Sequence, residues 1–202
     1  MSIIITQIQP EHIPQLVEHQ KICFPTLEVE DLFGVEEFSA HLRVFPEGQH
    51  VALDGGRVIG QSSTFRVSGA YVFTQHTFHE IVGHGYFTEH DEAGEWLYGG
   101  DMSVHPDYRG RGVSRRLYGA RWELIRRLGM RGIVAGGMLP GYHAYGGQMD
   151  VDTYVAEVVA GRIVDPTLTS QLRIGFSVRG VLYDHIRAGE MTGHASLLVW
   201  EA

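Results

Sequence analysis

Val104-His105-Pro106-Asp107-Tyr108-Arg109-Gly110-Arg111-Gly112-Val113-Ser114-Arg115-Arg116-Leu117 is the stretch that decides the fold. Upstream of it, Trp96 to Val104 reads as a strand. Downstream, Val113 to Leu128 reads as a helix, with Val113, Leu117, Ala120, Leu124 and Leu128 on one face and Gly129 as its cap. Between them lies a turn rich in arginine and glycine. Glycine lets a backbone approach a ligand closely and turn its N–H groups the same way. The helix start adds unpaired N–H groups and the positive end of its dipole. A strand, a glycine turn and a helix N-terminus together form a cradle for an anion, most often phosphate. Spacing excludes two other glycine turns. A dinucleotide-binding turn needs a third glycine where Arg115 stands, and a Walker loop needs a lysine after a glycine, whereas the one lysine is Lys21.

Charge agrees with a small anion as ligand. The chain carries a net charge of −8, yet eight of its 16 basic side chains fall between Arg109 and Arg131. Nucleic acid would need a broad basic face, so none is expected as a partner. With 202 residues, 44% of them hydrophobic and 20% charged, one soluble globular domain over 1–202 is expected. No apolar run approaches the ~20 residues of a membrane span, so no membrane association is expected either. Met1 to Thr6 lacks the basic start of a secretory signal. The single Cys23 cannot form an internal disulfide, which suits a cytoplasmic location, and it reads as core filler rather than a nucleophile.

Working outward toward the N-terminus, Ile3 to Ile8 reads as a strand, and a helix starts at Pro10-Glu11 and ends at Cys23-Phe24. Val35 to Phe45 reads as a second helix. His50 to Leu53 and Arg57 onward flank Asp54-Gly55-Gly56, a hairpin signal. Tyr71 to Glu95 shows no clear period and holds His76, His79, His84 and His90. No cysteine or second H-x-x-x-H supports a metal there, so no metal site is expected. The histidines read as loop or wall residues, one of which could handle a proton. Toward the C-terminus, Gly132 to Met138 reads as a buried strand, then come a loop from Leu139 to Gly147, a helix from Asp152 to Ala160 and another from Asp165-Pro166 to Ile174. Strands from Phe176 to Leu182 and from Ala195 to Trp200 close the chain.

Arg109-x-x-Gly112-x-Ser114, behind an apolar strand and His105-Pro106-Asp107-Tyr108, resembles the coenzyme A pyrophosphate loop of the GNAT family of N-acyltransferases, [RQ]-x-x-G-x-[GA]. Ser114 departs from that pattern but is still small. A second landmark of the family, Tyr-x-x-Leu-Gly-Phe, is matched at Gly175-Phe176 but holds Gln171 in place of the tyrosine, the family's usual proton donor to the leaving thiolate. The stretches from His105 to Gly112 and from Ala135 to Tyr145 also resemble a bacterial GNAT group fused to a nitrilase-like amidase.

The resemblance implies an α/β fold: a mixed, twisted sheet of six or seven strands flanked by helices, with a splay between the fourth and fifth strands. It implies acetyl-coenzyme A, or another acyl-coenzyme A, as cofactor. The reaction is then acyl transfer to an amine, small molecule or peptide, by direct attack in a ternary complex. The alternative is a coenzyme A-binding or sensing module without turnover. A homodimer stays open. Cofactor contacts fall on Met102, Ser103, Val104, Arg109, Gly110, Arg111, Gly112, Val113, Ser114 and Arg115, with a backbone N–H near Met102 or Ser103 stabilising the oxyanion. Asp101 and Tyr98 are the candidates for proton handling. Strand alternation points them to opposite faces unless a bulge at Gly99-Gly100 resets the phase, and Asp101 reads equally well as a buried carboxylate bonding loop N–H groups. Tyr142 and Tyr145, after the fifth strand, are the substitutes for the missing acid.

Overall fold

The computed structural model describes residues 3–27, 29–186 and 193–202. Seven strands form one sheet: β1 (Ile4–Gln7), β2 (His50–Asp54), β3 (Arg57–Val67), β4 (Trp96–Val104), β5 (Gly132–Met138), β6 (Ser177–Leu182) and β7 (Ala195–Glu201), in the order β1-β2-β3-β4-β5-β7-β6. Only β4 and β5 run parallel; the other neighbours are antiparallel. A parallel pair needs a crossover, and α5 (Val113–Leu128) supplies it.

The helices cover both faces. α1 (Ile13–Cys23) and α2 (Val35–Val44) lie on the face that buries Leu16, Phe38, Phe65 and Tyr98. α5, α6 (Val151–Val159) and α7 (Leu168–Arg173) cover the other, where Leu97, Ile125, Tyr154 and Leu198 meet. Leu16 is fully buried, and removing such a side chain from water contributes about 1.5–3 kcal/mol. The stretch without period holds two single-turn helices, α3 (Gly69–Val72) and α4 (Phe78–Ile81), anchored by buried Val72, Ile81, Val82 and Phe87.

One boundary moves for a covalent reason. A single 3-10 turn occupies Pro10–His12, and the regular helix begins only at Ile13. Pro14 has no N–H to donate to the carbonyl of Pro10, so the α-helical ladder cannot start at Pro10. At its other extreme α5 ends where Gly129 takes φ 62° and its N–H bonds back to Ile125 and Arg126.

Candidate active site

β4 and β5 pair over three positions only, Trp96 with Gly132, Leu97 with Ile133 and Tyr98 with Val134. Beyond Tyr98 the strands part: β4 stays on β3 as far as Val104, and β5 stays on β7 as far as Met138. A cavity of about 380 Å³ opens between them, lined by Gly99 to Val104 on one side and Ala135 to Met138 on the other. The register of β3 on β4 passes from Ser63–Asp101 to Thr64–Gly99, which leaves Gly100 as an extra residue. That bulge resets the alternation. Tyr98 and Asp101 therefore both face the α1 side, Tyr98 packing in the core with Phe65 and Asp101 meeting Gln20 of α1.

At the open end of the cavity sits the arginine-glycine turn. Gly110 has φ 74° and Gly112 φ 77°, left-handed values that side chains rarely adopt, and no atom stands within 4 Å of where a β-carbon would be at either. Gly112 is the N-cap of the 16-residue α5 and provides no side chain to cap its first N–H groups. Ser114, in the first turn, lines the cavity. Val113 is buried against Ala52, Ile59 and Leu117, so only its backbone is available to a ligand. Arg109 Nε donates to the carbonyl of Val104 at 3.2 Å and ties the turn to the strand end. The guanidinium of Arg111 lies 5.1 Å from the Tyr108 ring centre, and Arg115 is exposed. Met102, Ser103 and Val104 line the gap as their position on β4 requires.

Asp101 is the titratable group at the inner end. Its carboxylate accepts from Gln20 Nε2 at 2.5 Å and from Gln61 Nε2. Burial pushes its pKa up to about 6, against the pull of the Gln20 hydrogen bond and the positive charge of Arg121. Beside it, Ser103 Oγ lies 3.1 Å from His19 Nε2, and burial with His105 nearby lowers His19 to about 4. Cys23, next to His19, is held as a thiol, because burial and Asp101 raise its pKa to about 11.

The tyrosines are placed differently from expectation. Tyr98 does not line the cavity. Its ring sits behind the gap against Phe65, its hydroxyl lies 3.3 Å from His76 Nε2, and burial raises its pKa. Tyr142 and Tyr145 do not reach the gap either. The N–H of Gly141 donates to Asp165 Oδ2 at 2.9 Å, which pins their turn onto the α6–α7 connection. Both rings then pack on Tyr154, and the Tyr142 hydroxyl donates to the carbonyl of Met149 at 3.2 Å.

Tyr118, Arg121, Gln171 and His185 also line the cavity; none was expected as a site residue, Gln171 having stood only for the family's absent tyrosine. Tyr118 packs edge-on to Phe176, and its pKa is raised by burial while Arg121 and Gln171 draw it back. Gln171 turns a buried Oε1 without a hydrogen-bond partner toward Gly137. His185 Nδ1 lies 2.9 Å from the carbonyl of His76, which leaves Nε2 as the unprotonated nitrogen, packed on Gly136 and without a hydrogen-bond partner among the described residues. Burial lowers this histidine to about 4, so it is neutral near pH 7. Ser114, Tyr118, Arg121 and Ile125 share a helical face, a spacing that could have marked the first two pairs as neighbours.

A model of the acetyltransferase (GNAT) family matches residues 13–145. The chain belongs to the GNAT acetyltransferase family. Its cosubstrate is therefore an acyl-coenzyme A. Over 200 residues, 98% of the chain, it is 34% identical to a probable hydrolase, YhcX, of Bacillus subtilis, of which it spans 38%. It is 30% identical over 94% of its length to an uncharacterized N-acetyltransferase, YkwB, of the same organism, covering 84% of that protein. Among solved structures, the GphF GNAT-like decarboxylase in complex with isobutyryl-CoA shares the fold, with a TM-score of 0.80, 20% identity and 98% of each chain covered. Among the described residues no helix is long and apolar enough to cross a membrane.

Proposed function

We propose that the chain moves an acyl group from acyl-coenzyme A to an amine by direct attack in a ternary complex. The observation that carries this reading is the alignment of three features along one gap: an empty left-handed glycine turn at the open end, an unpaired strand edge, and Asp101 at the inner end. Backbone N–H groups of Arg111 to Ser114 hold the pyrophosphate at the start of α5. A backbone N–H at Met102 or Ser103 polarises the thioester carbonyl. Asp101, on the α1 side, accepts the proton of the incoming ammonium, directly or through water. The amine nitrogen then bonds the acyl carbon and the carbon–sulfur bond breaks; the thiolate takes a proton from Tyr118, which lines the gap beside Gln171, and the second proton of the attacking nitrogen leaves through water to restore the phenol, so that amide and free thiol result. A free thiol has a pKa of about 8.5, so this last proton assists departure rather than permitting it.

The experiment follows thiol release from acetyl-coenzyme A with a panel of amines, for the wild type and for Asp101→Asn. We expect an amine-dependent release that falls roughly 10²-fold in the variant. In the wild type kcat/KM should climb with pH up to about 6 and level off above it, because the base works only when deprotonated. Coenzyme A that raises the melting temperature without any amine-dependent release would replace this reading with that of a binding module.

A further inference from the structure

Arg121 is a cationic cavity residue whose chemistry acetyl transfer leaves unused. It is 2% exposed, and its guanidinium stays charged at any working pH. Nε donates to Ser62 Oγ at 2.6 Å, and Nη2 donates to the carbonyls of Asp101 at 2.5 Å and Ser63 at 3.4 Å. All three acceptors are neutral. Among the described residues no carboxylate comes within ion-pair distance of it, and Nη1 makes no hydrogen bond. The Asp101 carboxylate is engaged by Gln20 and Gln61 instead. Asp101 offsets its charge only from outside ion-pair distance, and an anion in direct contact with Nη1 would compensate the buried cation further.

The position of Nη1 says where such an anion would sit. A β-carbon at Gly99 would stand 3.0 Å from Nη1 and 3.3 Å from the β-carbon of Ala135. Nη1 thus lies in the throat where β4 and β5 separate, walled by the smallest side chains of either strand. The phosphates of coenzyme A do not reach it: Arg121 is nine residues beyond Gly112, about 13 Å along α5. An incoming ammonium is repelled by it. What reaches the throat is the far end of the acyl group, carried past Met102 and Ser103.

We propose that Arg121 anchors a carboxylate at the end of the acyl group, so that the donor is the coenzyme A monothioester of a short dicarboxylic acid. The planar guanidinium with a free Nη1 suits a carboxylate oxygen better than it suits a methyl group. This inference rests on the acyltransferase reading, and its test separates the two.

The test measures binding to the wild-type protein by calorimetry for matched pairs of equal carbon count: malonyl- against propionyl-coenzyme A, succinyl- against butyryl-, and glutaryl- against valeryl-. We expect at least one dicarboxylic ester to bind about 10- to 100-fold tighter than its partner, as charge-assisted hydrogen bonds at buried sites do. Arg121→Met should abolish that preference and Arg121→Lys should keep part of it, each checked for a cooperative melt. If the methionine variant does not fold, the wild-type pairs and the lysine variant still decide. Neutral esters that bind as well as or better than every dicarboxylic partner overturn the proposal, and a loss of acetyl transfer in Arg121→Met alongside that result assigns the guanidinium to the thioester carbonyl instead. Acetyl-coenzyme A that binds and is turned over while dicarboxylic esters are rejected sinks this inference alone. Failure of coenzyme A and all its esters to bind sinks both.

Discussion

Two loops leave the same end of the parallel pair, one after β4 and one after β5, and both are rich in glycine and aromatic residues. After β4, Gly110 and Gly112 adopt left-handed φ and face open space. After β5, Gly141 needs no left-handed φ; a β-carbon there would collide with the Tyr154 hydroxyl and stand 2.9 Å from Asp165 Oδ2. The first loop uses glycine to shape a backbone that faces open space, as the proposed cradle requires. The second uses it to bring backbone against protein. Room and a left-handed φ alone do not set the first loop apart, since Gly129 has both as a helix cap; what does is that two such glycines stand together before the first turn of a long helix.

The largest effect expected from that contrast is at Gly112. A Gly112→Val variant places a β-branched residue at φ 77° in the cradle. We expect coenzyme A affinity to fall by about 100-fold or more with the melt still cooperative, since the strain is local and the ligand contact is lost. Equal affinity by calorimetry would move the cradle elsewhere.

Next come the phenols. Tyr118→Phe keeps the ring on Phe176 and removes the phenol hydroxyl of a residue that lines the gap, and turnover should fall by about 10- to 100-fold with the KM for acetyl-coenzyme A little changed. Tyr142→Phe should leave turnover within about twofold, because its hydroxyl is spent on the Met149 carbonyl. Reversed results in steady-state kinetics would return the proton donor to the second loop.

A smaller effect is expected from Gly141→Ala, which overpacks the second loop. It should cost about 1–3 kcal/mol in chemical denaturation and leave coenzyme A affinity as it was. Smallest of all is Arg126→Ala: exposed in the last turns of α5, it should change affinity by less than about twofold, a measure of how local the cradle's charge is.

The same contrast explains what was legible in the chain. The first loop could be read because backbone conformation makes it, and glycines, an apolar strand and a helical period are written locally. The ranges of β4, α5 and β5 follow from that for the same reason. The inner end of the cavity could not be read so, because it forms where side chains from distant segments converge. Whether Asp101 shares a face with Tyr98 depended on the bulge at Gly100, which two adjacent glycines suggest but do not place. Arg121 counts in the sequence only with the arginines gathered around the turn, although it shares a helical face with Ile125 and is buried with it. Gln171, read only as a missing tyrosine, stands beside Tyr118 on α5, so a phenol still faces the gap from another helix. The segment from Tyr71 to Glu95 folds as two single turns, too short to print a period.

The parting of β4 from β5 after three paired positions has one more consequence. The two halves of the sheet share few rungs of their own, and the arm of coenzyme A carries amide groups of the kind that make rungs. A cofactor seated in that gap as proposed would act as a borrowed strand, knitting β1–β4 to β5–β7 through backbone contacts that are indifferent to side-chain identity. Amide protons along the two facing edges should exchange with solvent more slowly once it is seated.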